Sequence, residues 1–160
     1  MRSPMSFLPV LAGCVTLLAG CATTGIDGFS AEEAAGFAGC TYAAGPGLHA
    51  WSCPENRLVE ARVIEGTGLD AAREALYTAH PELSQPEFSR TDPGSLGGRP
   101  VKLTMLGYSA QIVWLVTEED DSCSLVCVFP GSPLDKDRDD AMKGLAWCHD
   151  RLEAIQRNLR

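Results

Sequence analysis

Two neighbouring stretches, residues 111–117 and 123–129, constrain the fold of this 160-residue chain more than any others. In the first, Ile112, Trp114 and Val116 share one parity while Val113 and Leu115 take the other. The second is apolar on both parities as well. Successive side chains of a strand point to opposite faces, so a strand that is apolar on both has to be covered on both. The two stretches are therefore expected to be central strands of a sheet, joined by an acidic turn. The carboxylates of that turn, Glu118 to Asp121, read as an exposed hairpin tip.

The remaining elements follow from periodicity and punctuation. Residues 39–44 and 48–53 are extended runs around Gly45-Pro46-Gly47, which predicts a hairpin. Residues 57–64 alternate, with Val59, Ala61 and Val63 on one face and Glu60 and Arg62 on the other. Leu69, Ala72, Leu76, Ala79 and Leu83 recur at helical spacing, which predicts a helix over about 69–80. Pro86, Asp92-Pro93-Gly94, Gly97-Gly98 and Pro100 then break up residues 84–100, which predicts a long loop. A strand over 101–106 completes the sheet before the two central strands.

A second helix starts at Ser132 as N-cap with Pro133 at the first helical position, and Asp135, Asp137, Asp139 and Asp140 crowd its positive end. Ala141, Leu145, Cys148, Leu152 and Ile155 form its buried stripe, and Arg151, Arg157 and Arg160 sit toward its negative end. Asp135, Asp137 and Asp139 start like a calcium loop, but Asp140 and Ala146 replace its glycine and its bidentate glutamate. Ser30 and Glu33 have capping-box spacing, which predicts one or two helical turns over 31–37.

The order is thus β-β-β-α-β-β-β-α. It predicts an α+β fold: a mainly antiparallel sheet with two principal helices packed on it, in one domain over residues 31–160. That order over residues 38–156, with the segment GSPLDKDRDDAMKGLAW near its end, resembles the PsbP-like α/β/α family of extrinsic and lipid-anchored envelope proteins. The resemblance carries no functional residue across.

The N-terminus places the chain. Arg2 precedes an apolar run from Phe7 to Leu18, too short to span a bilayer, which needs roughly 20 apolar residues. Small residues before a cut site mark a secretory signal. Leu17-Leu18-Ala19-Gly20-Cys21 resembles the lipobox of bacterial lipoproteins. That resemblance implies removal of residues 1–20, a diacylglyceryl group on the Cys21 thiol and an acyl chain on its new amino group. Two or more acyl chains hold a protein stably on a membrane. Ala22 after the acylated cysteine resembles the class sorted to the outer membrane. Residues 21–30 then form the lipidated end and a short flexible tether, with the domain facing the periplasm.

Charge narrows the partners. Loss of Arg2 leaves 12 of the 13 basic side chains against 21 acidic ones, a formal charge of −9. Such a chain is repelled by nucleic acid, so DNA or RNA binding is not expected.

Of the seven cysteines, five lie beyond the anchor: Cys40, Cys53, Cys123, Cys127 and Cys148. An exported domain sits where disulfides persist. Cys40 and Cys53 lie at similar distances from the turn of the first hairpin, which predicts a bond between them. Cys127 on the last strand and Cys148 on the helix stripe predict a second bond, with Cys123–Cys148 as its competitor, and one thiol is left over. Cys123-Ser-Leu-Val-Cys127 also has the spacing of periplasmic copper-delivery proteins of the thioredoxin-like class. With Cys148 and His149, this gives an alternative reading as a thiol or copper relay. A strand separates residues four apart by about 13 Å, too far for one metal, so no metal site is expected.

Chemistry has little else to stand on. His49, His80 and His149 fall on a strand edge, a helix end and a helix flank, and no HExxH, GxSxG or phosphate-cradling loop is present. The chain is expected not to be an enzyme, and no cofactor is implied. Tyr42, Trp51 and Tyr108 read first as core or sheet-edge packing, with a contact surface beside the predicted loop as the alternative. The sequence thus predicts an envelope lipoprotein with a non-enzymatic binding or structural role toward a partner protein or small ligand.

Overall fold

The computed structural model describes residue 37 and residues 39–131 and 138–158. Cys21, the leader, the tether and the expected helix start at Ser132-Pro133 lie outside them. Among the described residues, no helix is long and apolar enough to cross a membrane.

Seven antiparallel strands form one sheet: β1 Thr41–Gly45, β2 Leu48–Cys53, β3 Arg57–Val63, β4 Phe88–Leu96, β5 Arg99–Gly107, β6 Gln111–Thr117 and β7 Cys123–Pro130. Their order across the sheet is β1-β2-β3-β7-β6-β5-β4. The chain meanders through three strands, crosses to the far edge through helix α1, Gly68–Ala79, and meanders back until β7 pairs with β3. Helix α2, Arg138–Asn158, follows β7.

β6 and β7 do lie inside the sheet, and their two parities face two separate cores. Val113, Leu115, Val126 and Val128 meet Ala72 and Leu76 of α1, with Leu83 from a 3-10 turn over Pro81–Leu83. Ile112, Val116, Cys127 and Phe129 meet Cys148, Leu152 and Ile155 of α2. The fold is therefore α+β, with the sheet between its two helices.

Residues 84–100 correct the loop expected there. They contain β4, whose Phe88–Leu96 pairs residue for residue with β5 from Gly107 back to Arg99. The element order gains a strand accordingly. Gly97 and Gly98, with φ of 56° and 77°, form a tight hairpin turn of the kind that requires positive φ. Pro93 is tolerated because β4 is an edge strand, where part of the backbone has no neighbour to donate to. Edge position also explains why β4 lacks apolar alternation: only Leu96 along it is buried.

The acidic turn needs a second correction. Glu119 and Asp120 are exposed, but Glu118 is drawn in. It accepts a 2.8 Å hydrogen bond from Gln156 of α2 and pairs with Arg99 of β5.

Candidate functional site

Two disulfides frame one end of the molecule. Cys40 is bonded to Cys53, where β2 ends, and Cys127 of β7 to Cys148 of α2. These are the two pairs that hairpin symmetry and the helix stripe predict. Cys123 lies buried at the head of β7.

The second disulfide holds α2 over the β3–β7 pair, and Trp147 sits beside its anchor point. Arg151, one helical turn further on, lies on the same face of α2 as Trp147. The first disulfide leads directly into Pro54 and the tight turn that starts β3 at Arg57. Glu55 and Asn56 in this turn have φ of 61° and 56°. Asn adopts that conformation readily, whereas Glu does so at a cost.

Between these parts opens a cleft of about 160 Å³, lined by both sulfur-bearing residues of the Cys40–Cys53 bond, Pro54, Glu55, Arg57, Trp147 and Arg151. The guanidinium carbons of Arg57 and Arg151 lie 4.9 and 4.7 Å from the centroid of the Trp147 ring. Stacking uses the faces of a guanidinium and leaves its in-plane N–H donors unspent. Arg57 gives one donor to Glu55 at 3.1 Å. Arg151 makes no hydrogen bond or ion pair among the described residues. The Nε atoms of both arginines are buried without an acceptor. Burial, joined by the charge of Arg57, holds the Arg151 guanidinium below its ordinary pKa, while Asp150 opposes the shift.

A second polar cluster lies on the α1 side of the sheet and behaves differently. Glu60 of β3 is buried, with one oxygen 3.0 Å from Nε2 of His80 and the other accepting from Arg62 at 3.2 Å. His80 Nδ1 lies 3.4 Å from Glu82. Burial works against the Glu60 carboxylate, but hydrogen bonding and charge from His80 and Arg62 outweigh it and hold its pKa below the ordinary value. The Glu60 hydrogen bond raises that of His80. Both carboxylate oxygens of Glu60 and both ring nitrogens of His80 are thus engaged within the chain. Tyr108 donates to the Leu83 carbonyl at 2.6 Å, and burial pushes its phenol up to about 12. This cluster ties the end of α1 to the sheet. The donors of the cleft are the ones left open.

Of the three aromatics, two pack inside the fold. Trp51 is buried under Phe37, which stacks on it at 4.8 Å, and Tyr108 is buried on the opposite face of the sheet. Only Tyr42 is exposed, beside His49 at the sheet edge. The fold brings the relay residues together only in part. Cys127 is bonded to Cys148, Cys123 is four residues away along the same strand, and His149 lies 4.0 Å from Asp150. Among the described residues, no group of three His, Cys, Asp or Glu side chains is placed to hold a metal ion.

Sequence reasoning did not single out Arg57, Trp147 or Arg151 as a group. The spacing of Trp147 and Arg151 was readable, but Arg57 joins them only through the packing of α2 on β3 and β7. Comparison with protein-family models, curated proteins and solved structures finds no match for this chain.

Proposed function

We propose that this chain is a lipid-anchored protein of a bacterial envelope, held through Cys21 on the outer membrane facing the periplasm. Its domain works by binding a partner protein or small ligand, not by catalysis. The LLAGC motif supports the anchor, and two cysteine pairs at bonding distance suit an oxidising compartment. One observation carries the binding role: Arg151 is stacked on Trp147 at an open cleft, and its buried Nε has no acceptor. A buried donor without a partner costs about 1–3 kcal/mol, so such an arrangement favours a ligand that supplies the acceptor.

The test is mass balance. The mature domain is incubated with a small-molecule extract of the envelope, and the solutes are compared before and after. Binding predicts that a solute is depleted in proportion to the protein and recovered intact on denaturation. Conversion of a solute well beyond the amount of protein would overturn the reading.

A further inference from the structure

We infer that the cleft between Arg57, Trp147 and Arg151 is an oxyanion site, taking the carboxylate or phosphate group of a small ligand or a lipid headgroup. The inference rests on the binding role proposed above and names the chemistry of that same site.

Charge balance is the first argument. In a chain this acidic, cations find partners easily: Arg62 pairs with Glu60, Arg90 with Asp92, Arg99 with Glu118 and Lys102 with Glu119. Arg151 instead shares one indole ring with a second cation, Arg57. Two guanidiniums held together repel each other, and the stack on Trp147 offsets this without using their N–H edges. A bound anion removes the repulsion and fills the donors at once.

Geometry is the second. Arg62 and Arg73 also leave Nε without an acceptor, but their Nη2 atoms are spent on Glu60 and Ser89. Arg151 has nothing spent, and open space beside it. Guanidinium forks match carboxylate and phosphate oxygens in pairs, which is why this group is suited to both.

Glu55 is the third. Its carboxylate already sits on Arg57, which shows in place the kind of group the cleft accepts. That side chain is 71% exposed, and an exposed ion pair is weak. An incoming anion can therefore displace it, and Glu55 acts as a built-in competitor. The strained turn keeps that competitor beside the cleft.

With Cys21 acylated as proposed, the length of the tether leaves a membrane within reach of the site. From Cys21 to Cys40 the extended chain spans at most about 65 Å. Both a free solute and a headgroup could thus supply the oxyanion.

The experiment titrates the mature domain, both disulfides intact, with inorganic phosphate, with succinate, and with vesicles of phosphatidylcholine with or without phosphatidylglycerol. Indole signals in NMR report on Trp147. The expected result is saturable binding of at least one probe, weakened at least about tenfold in Arg151→Met and tightened several-fold in Glu55→Gln. Binding to phosphate or succinate identifies a free solute as the source. Binding only to vesicles containing phosphatidylglycerol identifies a headgroup.

No saturable binding of any probe overturns the inference, and so does equal affinity in wild type and Arg151→Met. Should Arg151→Met fail to fold, Glu55→Gln decides alone, and an unchanged affinity there overturns it. A solute recovered intact in the mass-balance test but indifferent to Arg151 would leave the binding role standing and remove the oxyanion. Turnover in that test would remove the binding role itself.

Discussion

At the scale of single residues, the Glu60–His80 pair makes the stability of the domain depend on pH in a defined direction. The His80 pKa is raised above its ordinary 6.5, so the stabilisation it brings is full below that value and is lost as pH rises through the folded pKa. The Glu60 pKa is lowered below its ordinary 4.5, so its stabilisation is present above that value and lost as pH falls through the folded pKa. Both contributions coexist only in the mildly acidic window between the two groups. Denaturant midpoints measured across pH should therefore fall in the wild type as His80 loses its proton. His80→Gln, with no such proton, should lack that fall. Equal slopes in the two proteins would show that His80 contributes nothing. Neither partner could be paired from sequence, since twenty positions separate them and only the crossover through α1 brings the helix end back onto β3.

At the scale of elements, close approach and covalent staples fix α2 on the sheet, and with it the wall of the cleft. A β-carbon added to Gly144 would come within 2.4 Å of the Phe129 ring, so the helix lies directly against β7 there. Gly144→Ala should destabilise the domain by about 1–3 kcal/mol in denaturant titration, despite the better helix propensity of alanine. A gain in stability would mean that α2 does not sit so close. Removing the Cys127–Cys148 bond by replacing both residues with alanine should cost about 3 kcal/mol, the scale expected for a loop of this length.

What the sequence disclosed about these elements depended on how local the signal was. Strands apolar on both faces could belong only in the middle of a sheet, and β6 and β7 are there. Cys148 lay on the apolar stripe of α2, so its strand partner was accessible to reasoning. β4 was not legible, because an edge strand exposed on most positions can hold Arg90, Asp92 and Pro93 and still pair. Its Gly97-Gly98 turn was the one local hint. Glu118 was misread for a similar reason: its partners, Arg99 and Gln156, come from two other elements. The cleft is the extreme case, since it needs one residue from β3 and two from α2, and no stretch of chain contains them together.

At the scale of the whole molecule, we propose a small sheet-and-helix domain tied to a membrane by lipid and open to solutes or surfaces at one cleft. Its formal net charge of −8 repels other polyanions. Against that background, Arg57 and Arg151 form a local exception. The two cysteine pairs at bonding distance suit a compartment in which thiols are not kept reduced.

The central claim is that acylated Cys21 is the first residue of the mature chain, and the intact mass of detergent-extracted native protein tests it most directly. The account predicts a chain that begins at residue 21 and carries the added mass of a diacylglyceryl group and an amide-linked acyl chain. A mass matching the unmodified chain from Met1, recovered from the soluble fraction, would contradict it.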